Sequence, residues 1–219
     1  MTDGERRAAE RRLILSYAPA AARDGAAALM MLDDALGQVL RTTREPMVGQ
    51  MRLTWWHEAL LTLGSTTVPA EPVLRAIAAE VLPKGATPAM LARLVEGWEV
   101  LLEPLDFTTV ERAAEARGEA LFGALAIVLG ANDPRVQTAG RAWAMADLAR
   151  GLSDPVVAAA AAAAAGQLIA KTAGPAWPRR LRMIGALVVA ARYDLDPSTV
   201  SPASPRRVGR LLYHRLTGR

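Results

Sequence analysis

The sequence contains no cysteine. That absence excludes a disulfide scaffold, an iron–sulfur centre, a thiol nucleophile and a cysteine zinc site together. Histidine is nearly missing too: His57 and His214 are the only two and lie far apart, which excludes a histidine-rich metal site. Aromatic residues make up 5% of the chain, and five of the ten are Trp. No run of alternating β-branched residues is long enough for a strand. The most apolar stretch, residues 155–170 with alanine throughout 158–165, falls short of the roughly 20 residues a spanning helix needs. Residues 1–12 are too polar for a signal peptide, so a cytoplasmic protein is expected.

What is present is 219 residues, 52% hydrophobic and 22% charged, which excludes a disordered chain and predicts a single domain over residues 1–219 with a sizeable core. Basic residues number 26 and acidic residues 22, for a net charge of +4. Their placement is uneven. Arg6, Arg7, Arg11 and Arg12 cluster at the start, and nine arginines, from Arg179 to Arg219, crowd the end. The pattern suits anionic partners such as diphosphates, acidic lipid head groups or nucleic acid, unless these are ordinary solvated helix faces. No nucleic-acid-binding motif accompanies it.

Ala, Leu, Arg, Glu and Met dominate between Pro and Gly breakers, so the chain reads as about nine helices, an all-α protein. Thr2 or Asp3 caps the first helix, which stops before Pro19. The second spans residues 20–41, and Pro46 opens a third that reaches Leu63. A short helix ends at Leu82, and another covers residues 88–101. Thr108 with Glu111 has capping-box spacing and opens a helix ending at Gly130. The next helix stops near Gly151, Asp154 and Pro155 start the alanine-rich one, and residues 179–193 and 205–217 close the chain.

Chemistry has to come from carboxylates and arginines. Asp33 and Asp34 stand in an apolar helix, and Asp33 shares a face with Leu29, Met30 and Gly37. Adjacent acids on a cavity wall can hold magnesium ions that grip a diphosphate. The competing reading is one buried acid paired with an arginine and one solvated acid. Asp147, Arg150 and Asp154 follow one another at one-turn intervals, a spacing that an intrahelical ion pair also explains. Arg52 precedes Trp55 and Trp56 by three and four residues, so its guanidinium can lie on an indole face.

The runs Tyr17-Ala18-Pro19, Asp33-Asp34-Ala35-Leu36-Gly37-Gln38-Val39, Glu45-Pro46 and Gly49-Gln50-Met51-Arg52-Leu53-Thr54-Trp55-Trp56 resemble the opening helices of the squalene and phytoene synthase family. The likeness continues through residues 118–130 and 140–154, and residues 204–219 resemble alphaproteobacterial members. The resemblance implies the all-α isoprenoid synthase fold, with helices around a central cavity. Active members join two prenyl diphosphates head to head, with magnesium held by two facing Asp-x-x-x-Asp motifs. Here the first motif keeps Asp33 and Asp34, but its closing position is Gly37. In the second, Asp147 stands at an Asn position, Arg150 is kept, Gly151 replaces an Asp, and the following Asp falls on Pro155 beside Asp154. A tyrosine expected near residues 111–114 is absent, and the chain is shorter than active synthases.

Two readings follow. The Gly-x-Met-Arg-x-x-Trp-Trp run resembles the branch that includes a mitochondrial respiratory complex I assembly factor. It implies a non-catalytic protein that binds a prenyl diphosphate or other lipid in the cavity, or a protein partner, with peripheral contact at the inner membrane. On this reading Arg52, Asp147 and Arg150 are diphosphate-binding candidates, and Trp55, Trp56 and Trp143 mark the cavity or the family signature. The alternative is a divergent, active prenyl transferase whose magnesium ligands are Asp33, Asp34, Asp147 and Asp154, with Arg150 gripping diphosphate.

Overall fold

The computed structural model describes residues 2–65, 67–196 and 201–219. Ten α-helices, with three short 3-10 turns between them, make up its regular structure: α1 (Asp3–Leu15), α2 (Ala20–Thr42), α3 (Pro46–Leu61), α4 (Pro72–Glu80), α5 (Pro88–Glu99), α6 (Phe107–Leu129), α7 (Val136–Ala149), α8 (Pro155–Lys171), α9 (Arg182–Asp194) and α10 (Pro205–Thr217). Among the described residues there is no strand ladder, and no helix is long and apolar enough to cross a membrane. The all-α expectation holds.

Breakers and caps set most boundaries. Thr2 and Glu5 form a reciprocal capping box on α1, and Pro occupies the first turn of α3, α4, α5, α8 and α10. Gly130 ends α6 in the left-handed conformation that glycine adopts without strain. Two expectations shift. The cap of α6 is Asp106, whose carboxylate accepts from Thr109 N at 2.7 Å, so Thr108 and Glu111 form no capping box. The segment expected to begin a helix at Arg179 makes a 3-10 turn over Arg179–Leu181 before α9 begins.

The core runs through α2, α5, α6 and α7, with α6 as its most buried helix. Two close backbone approaches set this packing. A Cβ on Gly118 would run into Gly140 O, and one on Gly140 into Gly118 O, so α6 and α7 touch backbone to backbone. A Cβ on Gly97 would stand 2.5 Å from Arg117 N, which brings α5 equally close to α6. Alanines at 161 and 165, one turn apart, let α8 pack by its smallest side chains.

Candidate functional site

Asp33 projects from the apolar face of α2 and is 1% exposed. A carboxylate there needs a cation, and α6 supplies one. Arg117, 2% exposed, donates from Nε to Asp33 Oδ1 and from Nη2 to Asp33 Oδ2, both at 2.7 Å. Trp98 Nε1 also donates to Oδ1, at 3.0 Å. The same guanidinium reaches Asp147 Oδ2 on α7 at 2.8 Å. Its carbon lies 4.2 Å from the Trp98 ring centre and 4.7 Å from that of Trp143, so two indoles sandwich the cation. Burial pulls the Arg117 pKa down, but Asp33 and Asp147 outweigh it and hold the group above its ordinary value. For Asp147, burial pushes the pKa up, and Arg117 and Arg150 reverse this to a net lowering.

The charge alternation continues outward. Asp147 pairs with Arg150, Arg150 with Asp194 at 3.0 Å, and Asp194 with Arg207 at 2.8 Å. Arg207, buried on α10, pairs in turn with Glu10 on α1, and Arg7 approaches Asp194 at 3.4 Å. With Asp3, which pairs with Arg7 at 2.9 Å, the chain of charges holds five carboxylates and four guanidiniums, and at its buried end Asp33 and Asp147 are matched by Arg117 and Arg150.

The sequence-derived site residues separate in this arrangement. Asp33, Asp147 and Arg150 come together, but as members of the ion-pair chain. Asp34 is exposed and pairs with Arg11. Asp154 caps α8 by accepting from Val156 N and Val157 N. Arg52 does not lie on an indole; it donates to Thr42 Oγ1 at 3.2 Å and Thr43 Oγ1 at 2.9 Å. Trp56 is buried and Trp55 exposed, their rings edge to face at 5.3 Å. Trp143 sits over Arg117 and against Phe122.

A magnesium cluster does not fit this donor set. Both oxygens of Asp33 and both of Asp147 already accept from guanidinium groups, and Arg117 and Arg150 cancel the charge of these two acids, leaving none to draw a divalent ion. Among the described residues, no group of three or more His, Asp or Glu side chains could hold a metal. Gly37, where the resemblance puts the missing acid, has no room for one. A Cβ there would stand 2.8 Å from Trp98 Cη2. A cavity of about 1090 Å³ opens elsewhere, between α8, α9 and α10, with Ile169, Val188 and Trp177 on its walls and Arg192 and Tyr193 beside them.

Arg117 and Trp98 were the residues that reading the sequence missed. The signal for Arg117 was present: it shares an i, i+3, i+4 face with Ala113, Ala114, Ala120 and Leu121, all buried, so an unusual charge sat on an apolar stripe.

In comparisons with known proteins, no curated protein and no solved structure matches the chain. The profile of the squalene/phytoene synthase family matches residues 5–160. That span carries α1 to α7 and the start of α8; α9 and α10 lie outside it, so the likeness read in residues 204–219 is not part of the match. The all-α architecture agrees with the isoprenoid synthase fold. The chain belongs to the squalene/phytoene synthase family.

Proposed function

We propose that this family member does not carry out metal-dependent condensation of prenyl diphosphates and works by binding, to a lipid or to a protein partner. One observation carries the reading: the Arg117 guanidinium stands between Asp33 and Asp147, where it neutralises the acids of both motif helices. Ionising an allylic diphosphate requires positive charge that moves onto the leaving group. A guanidinium held by two carboxylates and roofed by two indoles is not free to provide it. Trp98 strengthens the case, because its ring tip occupies the space a carboxylate at residue 37 would need.

The Gly49-Gln50-Met51-Arg52 and Trp55-Trp56 run supports the finer reading, a role like that of the respiratory complex I assembly factor branch. The α8–α9–α10 cavity has mixed walls, with Ile169, Val188 and Val189 for an apolar chain and Arg192 and Arg210 for an anionic group. The decisive experiment incubates purified protein with farnesyl or geranylgeranyl diphosphate and magnesium and extracts the products. No head-to-head product is expected. Turnover abolished by Asp33→Asn, in a variant shown to remain folded, would overturn the proposal and restore the active prenyl transferase.

A further inference from the structure

The modest net charge conceals a sharp segregation. Of the 26 basic and 22 acidic residues, ten and two fall in residues 155–219, so that segment carries +8 and the preceding 154 residues carry −4. Its two acids are Asp194 and Asp196, and residues 201–219 contain none. Arg207 spends its charge on Glu10 and Asp194. Arg179, Arg180, Arg206, Arg215 and Arg219 are exposed, and among the described residues none of them pairs with a carboxylate. This basic surface is continuous across two elements. Trp177 N donates to Gly218 O at 2.8 Å, and Arg182 donates to Arg215 O, so the end of α10 lies against the turn that carries Arg179 and Arg180.

The outward face of α10 is also apolar. Its buried stripe is Arg207, Leu211, His214 and Gly218, at spacings of four, three and four. The opposite stripe, Pro205, Gly209, Leu212 and Leu216, points outward with Tyr213 alongside. Leu212 is 42% exposed, Tyr213 53% and Leu216 77%, and nothing lies within 4 Å of a Cβ built on Gly209. An outward row of Leu and Tyr, flanked by arginines that have no carboxylate partner and free of Asp and Glu, has the composition of a helix that lies in a membrane interface. A protein surface would more often answer such arginines with paired acids at fixed positions. A bilayer answers them with diffuse negative charge, and it accepts the apolar row as well.

We infer that the α10 face, with the Arg179–Leu181 turn, docks on an anionic lipid bilayer, Leu212, Tyr213 and Leu216 entering the headgroup boundary while the arginines meet lipid phosphates. This rests on surface charge and exposure, not on the Asp33–Arg117 site, so a failed turnover assay leaves it untouched and its own failure leaves the proposed function untouched. The test is co-sedimentation of the full chain with phosphatidylcholine vesicles, with and without about one-third phosphatidylglycerol. Binding is expected to the anionic vesicles only and to fall as salt rises. Arg179→Glu with Arg206→Glu should weaken it about 25-fold or more, since each surface cation contributes roughly fivefold. Leu212→Glu with Leu216→Glu should abolish it while the thermal midpoint stays put, because both side chains are exposed. No binding, equal binding to neutral vesicles, or binding indifferent to the leucine pair would overturn the inference. Salt-sensitive capture of duplex DNA that competes with vesicles and ignores the leucine pair would point to a nucleic acid and overturn it as well.

Discussion

Replacing Arg117 by Met keeps the stem and removes the charge. Asp33 then stays buried with only Trp98 Nε1 as a polar partner, Asp147 keeps Arg150 alone, and the stacking on Trp98 and Trp143 is lost. Breaking a buried ion pair from one side costs about 3–5 kcal/mol. Each desolvated cation–π contact adds up to about 2 kcal/mol, but the terms share one group and do not sum. A loss of about 4 kcal/mol is therefore expected. In a chain of this size each kcal/mol moves the thermal midpoint by about 2–4 °C, so the drop should be about 8–16 °C. Calorimetry or urea unfolding reads it. The second half of the prediction is that Asp33→Leu added to Arg117→Met recovers at least half of the loss, because an apolar replacement strands no charge. A single variant within about 1 kcal/mol of the parent, or a double variant no better than the single, would refute the view that Arg117 is the cation holding the two motif helices together.

Other outcomes follow from the same contacts. Gly140→Ala should cost about 1–3 kcal/mol or more in urea unfolding, since its Cβ meets the α6 backbone, whereas Gly166→Ala in the open middle of α8 should gain up to about 1 kcal/mol. Gly37→Asp, which restores a lost motif residue, should lower the thermal midpoint by displacing Trp98 and bring no magnesium-dependent rise in it. Burial lowers the His214 pKa, with Arg210 and Arg182 adding to this against the hydrogen bonds to Arg182 O and Arg219 O. A depressed folded pKa gives stability that is present above the unfolded value, near 6.5, and lost as pH falls through the folded one. Unfolding free energy should therefore decline on acidification from pH 7 to 5, and decline less in His214→Gln. Asp147 follows the same sign further into acid, its lowered pKa giving up stability as pH falls below the ordinary carboxylate range.

Much of the fold was legible because breakers carry local physics. Pro46, Pro72, Pro88, Pro155 and Pro205 each open a helix, and Gly130 closes one. The α6 start was misplaced because Thr108 and Asp106 both offer capping oxygens, and only the chain path from Glu103 to Phe107 selects between them. Asp33 stood out as an acid on an apolar face, but its partner lies 84 residues away, and spacing rules reach only one or two turns. Arg52 failed for the converse reason. Local spacing allowed an indole stack, yet the end of α2 brought two threonine hydroxyls closer.

The alternating charges that begin at Asp33 end on Glu10 of α1 and Arg207 of α10, near opposite ends of the sequence. Detaching either helix as a whole breaks an ion pair that holds the other. Releasing α10 would leave Glu10 and Asp194 without Arg207, and releasing α1 would leave Arg207 short of Glu10. Slow amide exchange in α1 should therefore track that in α10, and trimming one end should loosen the other. A membrane that pulled on α10 would then be felt, through one guanidinium after another, at the heart of the bundle.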